Sequence, residues 1–420
     1  MIKCDAPPDN SNRTATFKSG AGDLAAAAAD MARYANAGPK ASGGEGDEVV
    51  GCWLEEQLRF AGYECGRHPF QTPWFNPGRA VLVAGDHRAE VVPQAPVVPT
   101  GPCGIAGPLA LFGRDAIAPG SIALVDLPHG RWSTALGEAV FGPVSAAIAA
   151  GAAAVAIVTT GPSGDAIALN APAGAPLFER PVVTLAPRDA PAFREWAVTG
   201  EPTALVVAGE GGTRPAWNLV ATLDRGYGRW LVVSTPRSGW FGCVGERGPG
   251  VAIWLALARW AGAALPDHDL LFLCTSGHEY ENQGIREFVG GGFPSPDATS
   301  LWVTIGANAA ARDWHDLAGG LAPLPSVDPQ RFLVASPELM PHARAAFAGQ
   351  PGLESPYSTE FGAHGELAPV LEAGYRRVAG VLGVHRFHHS PKDGPVCVFA
   401  PLIPPVTAGF RALIEAALSN

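Results

Sequence analysis

Basic side chains are in short supply: 29 Lys and Arg stand against 39 Asp and Glu, a net charge of -10. Binding to nucleic acid needs clustered Lys and Arg to displace counterions, and no such cluster occurs. Long apolar runs are missing too. None reaches the ~20 residues that span a bilayer, and no basic amphipathic stretch marks a membrane surface. The first 20 residues carry Asp5, Asp9, Asn10 and Asn12 and lack the apolar core of a signal peptide. A cysteine framework is absent: Cys4, Cys52, Cys65, Cys103, Cys243, Cys274 and Cys397 are scattered, odd in number and never in a C-x-x-C pair. That fits free thiols in a reducing cytoplasm. The expected partner is therefore a small-molecule substrate, with neither nucleic acid nor membrane, and association into a homo-oligomer is left open.

What is present points to a large, turn-rich globular chain. Charged residues amount to 16%, while Gly and Pro number 52 and 40, a composition unlike that of disordered chains. At 420 residues the chain exceeds the size at which single cores stop growing, so two domains or one with a large insertion are expected. The stretch Leu270-Leu271-Phe272-Leu273-Cys274-Thr275-Ser276-Gly277-His278-Glu279 is a short, wholly apolar run ending in imidazole and carboxylate. Such a run reads as a strand buried on both faces of a parallel sheet. Ligand-binding groups in those sheets collect at the carboxyl ends of strands, so His278 and Glu279 are the first candidates for chemistry.

The rest of the chain supports an α/β architecture. Helices are predicted near 24–35, 48–60, 250–261, 282–289, 337–349, 367–373 and 405–418. Strands are predicted at 66–70, 80–84, 217–222, 230–234, 270–273, 301–305 and 378–382, with turns at Thr72-Pro73 and Asn76-Pro77-Gly78. Alternating strands and helices imply a mostly parallel sheet with helices on both faces. Prolines crowd residues 93–102, and short apolar runs follow until the main texture resumes near Trp217. The expected division is a polar tail over 1–20, an α/β domain over 21–92 and 213–420, and a smaller β-rich insertion over 93–212. Within the insertion, the run Ala149-Ala150-Gly151-Ala152-Ala153-Ala154-Val155-Ala156-Ile157-Val158 resembles the helix, Gly-Ala turn and buried strand of a protease-associated domain.

The order of these pieces resembles the di-zinc exopeptidases of peptidase family M28, which include aminopeptidases and glutamate carboxypeptidase. The resemblance implies that fold, and it implies zinc ligands at H-x-D, D-N, E-E, Asp and late His positions. Most of those ligands are replaced here. Thr235 and Arg237 stand at the H-x-D place, Glu246 followed by Arg247 at the D-N place, His278 and Glu279 at the E-E pair, Thr304 at the Asp place and His389 at the late His. Arg does not ligate metals and repels them at contact distance. The expectation is accordingly no metal and no cofactor, with one zinc through His278, Glu279 and His389 as the alternative.

A metal-independent enzyme is expected to use His278, Glu279, His389 and Glu246 for acid–base chemistry, since imidazole titrates near neutral pH. Arg237 and Arg247 would bind a carboxylate through their planar forks, with Trp240, Asn308 and Glu366 lining the substrate site. The expected substrate is a small amide-like or carboxylate-bearing molecule. Two alternatives stay open: a zinc aminopeptidase or amidohydrolase with a rearranged metal site, and a non-catalytic binding protein in which the arginines pair with Glu246 and Glu279. His388 and His389, if extended, would point to opposite sides, leaving at most one facing the cavity.

Overall fold

The computed structural model describes residues 21–200 and 202–419; the expected polar tail lies outside them. The main sheet runs, in spatial order, Tyr357–Ser358, Arg331–Ala335, Val378–Gly383, Thr299–Ile305, Trp230–Pro236, Asp269–Thr275 and Pro202–Leu223. Its centre is parallel: Trp230–Pro236 pairs in parallel with both Asp269–Thr275 and Thr299–Ile305, and the latter with Val378–Gly383. The chain leaves Trp230–Pro236 through the helix Val244–Ala264 to one neighbour, then crosses to the other through Gln283–Gly290. The strand order therefore reverses around Trp230–Pro236, and a crevice opens where strands diverge at such a point.

Alternation along the central strands accounts for helices on both faces. Leu231 and Val233 join one apolar core, together with the helices Ala21–Ala35, Glu45–Phe60, Val244–Ala264 and Ile403–Leu418. Trp230 and Val232 join a second core under Gln283–Gly290 and Leu367–Glu372. Successive side chains of a strand point to opposite faces, so a run with no polar member needs cover on both sides. The helix Val244–Ala264 is buried nearly all round, and Trp254 within it donates from Nε1 to the Val233 carbonyl at 2.9 Å.

Two long strands, Glu64–Ala84 and Pro202–Leu223, pair antiparallel along almost their whole length and carry the sheet onward. Beyond them Ile105–Leu111, Ile122–Asp126, Ala154–Val158 and Val182–Leu185 pair in parallel around two further apolar cores, with the helices Glu138–Ala149 and Ala190–Thr199. One of those cores also draws on Ala80, Leu82 and Ala84, and on Leu205 and Val207, because the long strands run along it.

Two sequence expectations change. The turns predicted between residues 66–70 and 80–84 are absent: the ladder with 202–215 continues past Pro73 and Pro77 and shifts register once, between Pro77 and Arg79. Proline is accepted in a strand at a bulge or where its missing N–H is not needed. The hairpin Arg312–Leu317 with Gly320–Val327 and the strand Arg331–Ala335 have no counterpart in the sequence reading. Among the described residues no helix is long and apolar enough to cross a membrane.

Candidate active site

The carboxyl ends of the central parallel strands open onto a cleft of about 380 Å³, within the range of small-molecule sites. His278, Thr304 and Gly306 reach it from the ends of the two strands that flank Trp230–Pro236, and Glu366 and Leu367 from the start of the helix Leu367–Glu372. Ser133, Thr134 and Asn170 close it from the β-rich side of the molecule. His388 forms its inner wall.

Glu246 lies just behind His388, wholly buried in the first turn of Val244–Ala264. Asp393 fixes the start of that helix, accepting from the backbone N–H of Gly245 at 2.6 Å and of Glu246 at 3.0 Å. A carboxylate on the first N–H groups of a helix satisfies donors that have no partner within the helix. His385 binds the same carboxylate, Nε2 to Oδ2 at 3.1 Å. Asp393 and His385, two members of the grouping His385, Asp393 and Cys397, are therefore engaged in holding this helix end.

Three ligand-type side chains converge at Glu246. Its Oε1 stands 3.3 Å from Nε2 of His389 and 3.8 Å from Nδ1 of His388, and one donor atom of each residue lies within 4.8 Å of the others. His389 sends Nδ1 to the Ala168 carbonyl at 2.9 Å. A carbonyl only accepts, so Nδ1 carries the proton and Nε2 is aimed at Glu246. His388 meets the Ser133 hydroxyl through Nε2 at 3.2 Å, which turns Nδ1 inward. Both Glu246 oxygens and His388 Nδ1 are buried without a hydrogen-bond partner.

The fourth group at this point is cationic. Arg247 brings Nη2 to 2.5 Å from Glu246 Oε1, but neither Nη atom meets hydrogen-bond geometry; only Nε does, donating to the Ser238 carbonyl. Burial acts to raise the Glu246 carboxyl, but Arg247, His388 and His389 outweigh it and hold it well below the usual carboxylate range. Burial and then the adjoining His389 push the His388 imidazole well down, against the pull of Glu246. Glu246 is thus anionic and His388 neutral near pH 7, the protonation states in which they ligate metals.

The expectation of a site without metal is corrected at this cluster. Two imidazoles and one carboxylate form a donor set typical of catalytic zinc, and the orphaned atoms of Glu246 and His388 are what such an ion would satisfy. The membership also differs from the expected trio, of which only His389 takes part. At the H-x-D place, Thr235 donates its hydroxyl to the Ile305 carbonyl, and Arg237 is buried beneath the strand ends.

The remaining predicted residues are placed as follows. Arg237 pairs with Asp47 at 2.9 Å and donates to the carbonyls of Cys274 and Trp217, away from the cleft. Glu279 is buried and turned toward the loop at Ser42, accepting from the Ser42 N–H at 2.7 Å and the Ser238 hydroxyl at 2.8 Å. His278 faces the cleft with Nδ1 3.7 Å from Glu366 Oε1, which also accepts from Thr275. Burial and then Arg247 lower the His278 imidazole, with Glu366 opposing. Trp240 donates from Nε1 to Asn170 at 2.8 Å, and Asn308 donates to the Gln330 carbonyl at 2.9 Å.

The pair His388 and His389 departs from the extended geometry expected of it. His389 has φ of 57°, a left-handed turn, and the two rings stack with centroids 3.8 Å apart. Strand alternation does not apply at such a turn, so both rings reach Glu246. The sequence reading missed Ser133, Thr134 and Asn170, which lie more than a hundred residues from the strand ends they face, and Glu281, which follows the motif in a left-handed conformation. No local sequence signal marks them.

No family model matches this sequence, and no curated protein matches it. Solved structures do match over nearly the whole chain. The zinc aminopeptidase BSAP from Bacillus subtilis is 16% identical with a TM-score of 0.69, covering 94% of this chain and 95% of that one. A peptidase M28 precursor from Shewanella amazonensis SB2B gives 15% and 0.69 over 95% and 97%. An aminopeptidase from Aneurinibacillus sp. strain AM-1 gives 16% and 0.67 over 94% and 93%. The resemblance read from the order of motifs thus holds at the level of architecture: this chain has the zinc exopeptidase fold of the M28-type aminopeptidases.

Proposed function

We propose that the protein is a hydrolase of small amide-like substrates that works with one zinc held by Glu246, His388 and His389. The observation that carries this reading is the convergence of three buried donor side chains, with unpartnered atoms on two of them, directly behind the cleft wall that His388 forms. A zinc ion in such a set supplies Lewis acidity and an activated water.

The chain's own groups would do the rest. His278, lowered from its ordinary value, is free to accept a proton near neutrality and return it to a leaving amine. Glu366 sits beside its Nδ1 and favours the protonated form once a proton is taken. Ser133 and the Ala168 carbonyl orient the two ligand imidazoles by their outward nitrogens, as partners of metal-bound histidines do. The substrate is small because the cleft is closed at its far side by residues 133–134 and 170. The division into an α/β domain over 21–92 and 213–420 and an insertion over 93–212 belongs to the same proposal, the insertion acting as the cleft's outer wall.

The test is zinc determination on the purified protein together with hydrolysis of a panel of aminoacyl anilides and amides, with and without chelator. About one zinc per chain and chelator-sensitive turnover are expected. Absence of both would sink the reading. The contact between Arg247 and Glu246 favours a second reading, a binding protein that keeps the scaffold without catalysis; tight capture of an unmodified ligand with no turnover would select it.

A further inference from the structure

We infer that Asp165 is a positioning residue: reaching across from the β-rich side of the molecule, its carboxylate holds the His388–His389 turn in the shape that brings both imidazoles to Glu246. Its consequence for ion retention rests on the single-zinc site proposed for Glu246, His388 and His389. The clamp itself does not.

The turn needs holding. His389 has φ of 57°, a region that a residue with a Cβ seldom adopts and that persists only where its surroundings over-determine it. The flanks of the turn are tied to the main-sheet side, Arg386 donating its N–H to Asp328 at 3.1 Å and Asp393 accepting from the first N–H groups of Val244–Ala264. The middle is not. Among the described residues, the hydrogen bonds that residues 388–390 make outside their own segment go to Ser133, Asp165 and Ala168.

Ala168 supplies the backbone part, donating its N–H to the His389 carbonyl at 3.0 Å and accepting from His389 Nδ1 at 2.9 Å. Asp165 supplies the side-chain part. Its Oδ2 accepts from the Ser390 hydroxyl at 2.9 Å, and its Oδ1 pairs with Lys392 Nζ at 2.8 Å. Ser390 Oγ in turn accepts from the Lys392 N–H at 3.1 Å, so one carboxylate fixes both residues. Lys392 and Arg188, the cations on Asp165, are more than half exposed, and pairs of that kind add little. Ser390 is wholly buried and Asp165 is 3% exposed, where a hydrogen bond to a charged group counts for more. Asp165 is also anchored on its own side, since the Thr159 hydroxyl donates to its carbonyl at 3.1 Å. A fixed carboxylate thus grips a strained turn at the residue next to His389.

Hydrogen exchange read by mass spectrometry on the metal-free full-length protein tests the clamp. In Asp165→Ala, amides over 385–393 are expected to exchange about tenfold faster or more, with the strands Trp230–Pro236 and Asp269–Thr275 as in wild type. Asp165→Asn keeps an acceptor for Ser390 and is expected to lie closer to wild type. Ser390→Ala removes the same bond from the other side, so adding it to Asp165→Ala should change nothing further; it also carries the test if Asp165→Ala does not fold. Unchanged exchange over 385–393, or an increase spread evenly over the chain, overturns the proposal.

Chelator-competition titration reads the consequence, a zinc Kd about tenfold weaker or more in Asp165→Ala. Where wild type takes up zinc, an equal Kd in the variant also overturns the positioning role. A wild type that takes up none sinks the zinc reading and leaves the exchange result to decide the clamp.

Discussion

His278 shows how much one side chain's surroundings decide. It stands three residues beyond Thr275, and its ring is lowered by burial and by Arg247 rather than raised by Glu366. If it carries the proton in turnover, His278→Ala should lower kcat by about 10²- to 10⁴-fold with little change in bound zinc, which steady-state kinetics and metal analysis would read together. Ser133 makes a different prediction. Its hydroxyl orients His388 through the outward nitrogen, so Ser133→Ala should weaken zinc binding by about tenfold or more in a chelator-competition titration. An unchanged zinc Kd would remove Ser133 from the site.

Elements are held by carboxylates placed where backbone donors gather. Asp393 caps the helix that carries Glu246, and Asp393→Ala should cost about 1–3 kcal/mol by leaving buried N–H groups unpaired, measured by denaturant unfolding. Asp269 does the same for the turn at 224–229, accepting from the N–H groups of Arg225, Tyr227 and Gly228 at 2.7, 3.3 and 2.6 Å. Burial works to raise its carboxyl, but these bonds outweigh that and lower it below the ordinary 3.8. A carboxyl depressed in the folded state contributes stability that is present above the unfolded value and lost as pH falls through the folded one. Stability of the wild type should therefore drop as pH falls below about 3.8, and Asp269→Asn should flatten that part of the profile. Equal slopes for the two proteins would exclude this contribution.

At the scale of the molecule, the site depends on contacts between distant segments. Residues 131–170 meet the segment 384–392 repeatedly: Arg131 donates to the Val384 carbonyl while pairing with Asp328 alongside it, Ser390 donates to Asp165, and Lys392 pairs with Asp165 at 2.8 Å. The His388–His389 turn is thereby clamped from outside its own sheet. Arg237 belongs to a different part of this architecture, tying the strand ends to the helix Glu45–Phe60 through Asp47. Removing one partner of a buried ion pair costs about 3–5 kcal/mol. Arg237→Met should lower Tm accordingly and leave the substrate KM of the folded fraction unchanged; a raised KM with unchanged Tm would instead place Arg237 at the substrate.

The parallel core was legible because its strands carry uninterrupted apolar runs, such as residues 230–233 and 270–274, which need cover on both faces of a sheet. Leu270–Thr275 also marked the correct edge of the sheet, since the chain must turn from apolar to polar where the crevice opens. The long strand pair was hidden by Pro73, Pro77 and Gly78, local turn signals overridden by a ladder partner more than a hundred residues away. The site divided along the same line. Glu246 and His389 were found by their place in an order of motifs, which is a property of the chain.

Sequence by itself determined the architecture, the net charge of -10 and which residue types stand at the motif places. Tertiary structure decided which groups meet. A left-handed turn at His389 turns two adjacent imidazoles onto one carboxylate, whereas Arg237 and Glu279, named by the same motifs, are turned to partners at Asp47 and Ser42. Side-chain direction at a strand end depends on backbone torsions and on what packs from other segments. Neither is encoded within the few residues of a motif.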